Sequence, residues 1–210
     1  MSKPNTPSKK GTARRKSFAD FTLTELEATF DLQRSRASLF SKVKAIAIDA
    51  RLAEALSLGR VPGLSTEKAR SEFLVAPLLL RVQQQLKGSV SLYSGMPLDV
   101  APDKGLRGIC DFMFAKGPQF PEPKAPLCVL VEAKKHDIEL GIGQCVAEML
   151  AAQMFNQQHG TPQKHIHGCV TTGELWQFLR LTGTVLTLDA DRYVLDQADR
   201  LLGIFTSILS

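Results

Sequence analysis

Apolar positions along this chain change their spacing near residue 90, from helical intervals to short runs separated by turn residues. Thr22 followed by Glu25 has capping-box spacing, a hydroxyl for one free amide and a carboxylate reaching back for another, and predicts a short helix from Leu23 to Leu32. Residues 34–58 are helix-compatible but irregular, and Gly59, Pro62 and Gly63 mark a break. These first sixty residues are expected to pack on the outside of the core. Ser65 or Thr66 can cap a longer helix toward Leu86, with Ala69, Phe73, Ala76 and Leu80 as its buried stripe and Glu72 beside it. Pro77 removes one amide and crowds the preceding turn, so this helix should kink or split near Phe73–Ala76.

Beyond residue 90, Val90–Tyr93, Ile109–Ala115 and Leu127–Lys134 read as three strands, with proline-rich loops over 97–102 and 117–126. Leu140 to Gln158 predicts a helix whose apolar face carries Ile142, Cys145, Val146, Met149 and Leu150. Ile166–Val170, Leu175–Leu181 and Val185–Leu188, joined at Thr172-Gly173 and Thr182-Gly183, predict an antiparallel meander. An amphipathic helix over Leu195–Leu209 closes the chain. Helix, three strands, helix, strands implies an α/β fold, a mixed sheet covered by helices. The expected organisation is a disordered basic tail over 1–19, a helical extension over 20–63 and one domain over 64–210.

Charge modifies this picture less than the net value of +5 suggests. Residues 1–19 hold six Lys and Arg and no acid, leaving 20 basic against 21 acidic residues, or −1, for the rest. Such a tail can hold phosphates loosely or merely keep the chain soluble, and the folded part carries no basic excess. The longest apolar run, Phe73–Leu80, is bounded by Glu72 and Arg81 and falls far short of the ~20 residues that cross a bilayer. No apolar segment follows the basic N-terminus, so no secretory signal is expected and the expected location is the cytoplasm. Cys110, Cys128, Cys145 and Cys169 lie in apolar segments without paired spacing and read as small buried hydrophobes. His165 and His167 beside Cys169 are the nearest approach to a zinc pattern, and their spacing does not suit one.

Glu132 and Lys134 are two apart on a predicted strand, so their side chains share a face. Glu-x-Lys alone says little, as Glu122-Pro123-Lys124 in a proline-rich loop shows. Glu132, however, follows the apolar run Leu127–Val131, where an ionised carboxylate is costly unless paired or metal-bound. The bland reading is a Glu132–Lys134 ion pair at a strand end. Asp111 sharpens the other one, because it stands among Cys110, Phe112 and Phe114 in a strand with no evident use for an unpaired aspartate. On neighbouring strands, Asp111 and Glu132 can converge on one hard divalent cation, with the backbone carbonyl of Ala133 as a further ligand. Lys134 would then lower the pKa of an attacking water or steady charge building on a phosphate.

Gly108-Ile109-Cys110-Asp111 and Glu132-Ala133-Lys134, with Glu72 on the preceding helix and Gln144 on the following one, resemble the PD-(D/E)xK, or restriction-endonuclease-like, nucleases. The resemblance spans residues 66–181, and Thr171-Thr172-Gly173-Glu174-Leu175-Trp176-Gln177-Phe178 looks like the nuclease segment of type I restriction enzymes. The whole chain is also similar to an uncharacterised bacterial family, a likeness that implies no activity. The nuclease resemblance implies an α-β-β-β-α-β core and a hydrolase that cuts phosphodiester bonds of nucleic acid, DNA in the first place. It further implies magnesium (or manganese) on Asp111 and Glu132, Lys134 assisting the nucleophile, and Glu72 completing the metal site. Two features depart from the pattern: no proline precedes Asp111, and Gln144, with Glu148 one turn on, stands where one branch has a tyrosine. Gln144 would orient the site or touch nucleic acid, while Glu148 reads as a solvated charge. His136, in the polar loop Lys135-His136-Asp137, is a proton carrier or simply exposed. A homodimer would bring two sites to the two strands of a duplex. The rival readings are a catalytically inactive module of nuclease fold, binding nucleic acid or a protein partner, and a purely structural domain.

Overall fold

A computed structural model of the chain describes residues 16–210. The expected disordered tail therefore falls mostly outside the described residues, and its last part is structural: Phe18 is 1% exposed and its amide bonds the Arg107 carbonyl at 2.9 Å. Thr22 accepts from the Glu25 amide, and Glu25 reaches back to the Thr22 amide at 2.9 Å, starting helix α1 (Leu23–Phe30) as its sequence predicts.

Residues 33–59 form no single helix. Gln33–Ala37 is strand β1, and only Ala50–Gly59 is helical, as α2. β1 pairs in parallel with the last strand, so the N-terminal segment extends the sheet instead of lying outside the core. Phe18, Phe21 and Leu26 are likewise core residues.

Thr66 caps α3 (Glu67–Arg70), which runs through a π turn at Ser71–Val75 into α4 (Ala76–Gln85). Pro77 cannot bond the Phe73 carbonyl one turn back, and the wider turn absorbs the loss. Gly59 of α2 packs on that carbonyl so closely that a Cβ there would sit 2.1 Å from the oxygen. The extra residue also shifts the helical register. Leu74, Val75, Leu78, Leu79 and Val82 are buried, while the expected stripe fails at Phe73 (38% exposed) and Leu80 (50%).

The remaining elements are β2 (Val90–Pro97), β3 (Ile109–Lys116), β4 (Leu127–Ala133), α5 (Glu139–Gln158), β5 (Ile166–Thr171), β6 (Leu175–Thr182), β7 (Val185–Val194) and α6 (Ala198–Leu209). They make one seven-stranded mixed sheet in the order β1-β7-β6-β5-β4-β3-β2. β1–β7 and β4–β5 pair in parallel and every other neighbour is antiparallel, including the predicted β5–β7 meander. The fold class is therefore α/β. No described helix is long and apolar enough to cross a membrane.

Two cores flank the sheet. On one face α5 covers Leu130, Val170 and Leu179, with α1 beyond it. On the other, α4 and α6 cover Val129, Phe114, Trp176 and Phe178. There Phe205 meets Trp176 edge-on at 6.0 Å and Phe178 at 5.2 Å. All four cysteines are buried and free, as their apolar neighbourhoods predict.

Candidate active site

The parallel pairing of β4 and β5 sends both strands to one end of the sheet, and the chemistry gathers where β4 stops. Phe112 of β3 is opposite Val131 of β4, which brings Asp111 beside Glu132. The Ala133 amide donates to Asp111 Oδ2 at 2.8 Å. Lys134 is anchored just past the strand by its amide, which bonds the Thr171 carbonyl at 2.7 Å.

Helix α5 closes over this end because Gly141 lets it. A Cβ at that position would stand 2.6 Å from Val170 Cγ1 and 2.9 Å from Lys134 Cγ. The close approach confines the Lys134 stem, and its ammonium donates to Glu132 Oε1 and, at 3.2 Å, to Gln144 Oε1. Gln144 then donates to Glu148 Oε1 at 3.2 Å. Glu132, Lys134, Gln144 and Glu148 thus form one chain of contacts linking the strand to the helix.

Burial sets the electrostatics. Glu132 is 1% exposed and Glu148 fully buried, and Glu132 Oε2 and Glu148 Oε2, which have no other donor, face each other across one shared proton. Desolvation first, and the neighbouring Asp111 charge second, push the Glu132 carboxyl up to about 7. Desolvation and then the Glu132 charge raise Glu148 well above the carboxylate range, so near neutral pH it carries a proton. Burial also raises Asp111, against the lowering effects of the Ala133 amide and Lys134. Burial alone would pull Lys134 down, yet the adjoining Glu132 keeps it above its ordinary value, and it stays an ammonium. One lysine thus faces three carboxyls in a mostly dry pocket.

The glutamate singled out on the first helix is not the one best placed. Glu72 is exposed and pairs with Lys68 at 2.6 Å, although it lines the same cavity of about 260 Å³ as Asp111. Glu67, one turn earlier, lines that cavity too, and its charge acts on both Asp111 and Lys134. Glu148 is the second departure: the residue that reads as a solvated charge is fully buried. Its helical spacing was the available signal, since Gly141, Cys145, Glu148 and Ala152 make an i, i+4, i+7, i+11 stripe whose other members are all buried. His136 is exposed, and its neighbour Asp137 caps the start of α5 by accepting from the Glu139 amide at 2.8 Å.

The donor set suits a hard cation. Asp111 and Glu132 supply carboxylate oxygens, and the second Glu132 oxygen has only the Glu148 carboxyl for a partner. Among the described residues no three His, Cys, Asp or Glu side chains gather into a ready-made metal cage. The ligand set available is therefore two carboxylates, completed by backbone carbonyl and water. A scan against protein-family models found no match, and a search of curated proteins found none either. What the fold and site define is an α/β protein with a carboxylate–lysine cluster at the C-terminal end of a parallel strand pair.

Proposed function

We propose that this chain is a metal-dependent nuclease of the PD-(D/E)xK type, hydrolysing phosphodiester bonds of nucleic acid, with DNA as the first substrate to test. The observation that carries the reading is the buried Glu132 carboxylate, flanked by Asp111 and held by Lys134 and by the proton of Glu148. The element order α4, β2, β3, β4, α5, β5 supports it, because it is the order the nuclease resemblance implies.

Asp111 and Glu132 would hold magnesium or manganese, with the Ala133 carbonyl beside them. When bound, such an ion polarises the phosphate and makes its coordinated water a stronger nucleophile. Lys134, fixed between Glu132 and Gln144, presents a permanent positive charge to the phosphate oxygens. A protonated Glu148 keeps a second full negative charge away from Glu132. Glu67, more than Glu72, places a further carboxylate at the cavity mouth.

Purified wild type and Lys134→Ala, assayed with magnesium or manganese on single-stranded, duplex and branched substrates, test the reading. Removing one preorganised charge-stabilising group typically costs about 10²–10³ in rate. Equal metal-dependent cleavage by both proteins would contradict it.

Two observations favour a second reading, a binding module that does not cut: two of the three Lys134 ammonium protons are taken by Glu132 and Gln144, and the chain beyond residue 19 is near neutral. That module would bind nucleic acid in chelator, with a salt dependence carried by the basic N-terminus. A deletion that spares Phe18 must stop before Lys16. Strict magnesium-dependent turnover would reject this second reading.

A further inference from the structure

The sheet face under α6 carries a row of polar side chains far from the carboxylates. Register places His167 of β5 opposite Arg180 of β6, Arg180 opposite Thr187 of β7, and Thr187 opposite Ser35 of β1. Their strand neighbours Ile166, Leu179, Leu181 and Leu186 all belong to the α5-side core, so these four side chains emerge together on the other face. Ser35 Oγ and Thr187 Oγ1 are 2.9 Å apart. One step toward the sheet end, His165 Nδ1 lies 2.8 Å from Thr182 Oγ1, and the two imidazoles are 6.1 Å apart. Phe40 closes one side, its ring 6.3 Å from that of His167.

Positive charge gathers there without an answering acid. Arg180 is half-buried, makes no ion pair or side-chain hydrogen bond among the described residues, and has its Nε shut away from solvent. His167 likewise makes no side-chain hydrogen bond among them. The charges acting on the two imidazoles are those of Arg180, Lys164 and His165, all repulsive to a proton. Asp189, the acid two residues along β7 from Thr187, is already occupied by the Leu39 and Asp191 amides and the Tyr193 hydroxyl. Arg200 of α6 is spent on the Phe40 and Val43 carbonyls. A half-buried guanidinium is costly when nothing accepts its protons, and an incoming oxyanion would accept them.

We infer that His165, His167, Arg180 and Thr182, over the Ser35–Thr187 hydroxyl pair, form a binding site for a phosphate group, on the opposite sheet face from the carboxylate cluster. The guanidinium supplies charge-assisted donors, each neutral imidazole supplies one N–H, and the hydroxyls complete the donors around a tetrahedral anion. The site does not rest on the nuclease reading, since it shares no residue with the carboxylate cluster.

Histidine-selective NMR on the whole chain tests this, reading all four imidazoles while inorganic phosphate replaces chloride at constant ionic strength near pH ~6.5, the midpoint of a free histidine. Millimolar phosphate is expected to shift the ring resonances of His165 and His167 and to raise the titration midpoint of His165, and to leave His136 and His159 unmoved. Arg180→Gln, with an unchanged far-ultraviolet spectrum, is expected to weaken the response about tenfold or more, the worth of one charge-assisted contact. Identical titrations in phosphate and chloride for wild type would overturn the inference without any variant. So would a response to a short oligonucleotide lacking terminal phosphates, with none to free phosphate, because the site would then read a nucleic-acid backbone.

Discussion

Two buried acid sites in this protein make opposite use of burial. Asp189, on β7, is 1% exposed, and both of its oxygens are satisfied, by the Leu39 and Asp191 amides and the Tyr193 hydroxyl. Glu132, on β4, is as deeply buried, but it is crowded by the carboxyls of Asp111 and Glu148, and apart from Lys134 its donor is the proton held by Glu148. The first acid ties the loop after β1 to the sheet. The second belongs to a cluster of carboxyls gathered around one ammonium, behind the cavity that Asp111, Glu67 and Glu72 line. Burial alone marks neither a structural nor a functional carboxylate; the difference lies in who donates to it.

The comparison breaks most sharply under substitution. Asp189→Ala strands two amides and a hydroxyl and should cost about 3 kcal/mol or more, lowering Tm by roughly 10 °C. Glu148→Gln should cost far less near neutral pH. An amide there is uncharged, as the protonated Glu148 carboxyl already is, and can still donate to Glu132, so chemical denaturation should place the variant within about 1 kcal/mol of wild type. A loss of stability in Glu148→Gln as large as that in Asp189→Ala would erase the distinction.

The pH dependence of stability sharpens it further. Glu132 is held at about 7 in the fold against an ordinary 4.5, so the folded state binds that proton more tightly than the unfolded chain. Stability should therefore be greatest below pH 4.5 as far as this group is concerned, and fall as pH rises through about 7, by on the order of 3 kcal/mol. Urea unfolding in chelator on either side of that window measures it, and Glu132→Gln should flatten the slope. His167 acts in the opposite sense. Burial first, then His165 and Arg180, lower it to about 3, so its contribution is lost as pH falls from 6.5 toward 3, and His167→Gln should soften the acid limb.

The strands bearing Asp111 and Glu132 were legible because short apolar runs bounded by turn residues made each carboxylate conspicuous, and Lys134 came with them by spacing. Glu148 was misread because its charge was weighed without its position, in a stripe with Gly141, Cys145 and Ala152. The buried stripe of the first helix was misplaced for another reason. The π turn that accommodates Pro77 shifts the register, so a regular 3.6-residue repeat puts the wrong residues inside. β1 left no trace at all: Gln33, Arg34, Ser35, Arg36 and Ala37 are exposed edge residues, a strand only because β7 offers its edge. The basic row of His167 and Arg180 was equally invisible, since only register brings two separate strands together.

The central claim, that Asp111 and Glu132 form a site for a divalent cation, is tested most directly by melting the protein with and without manganese. A ligand that binds only the folded state stabilises it by about 2.7 kcal/mol at a hundredfold excess over Kd. Millimolar manganese should raise the Tm of wild type, while Asp111→Asn loses most of that rise and melts at least as high as wild type in chelator. Melting curves of both proteins that manganese leaves unmoved across neutral pH would contradict the account.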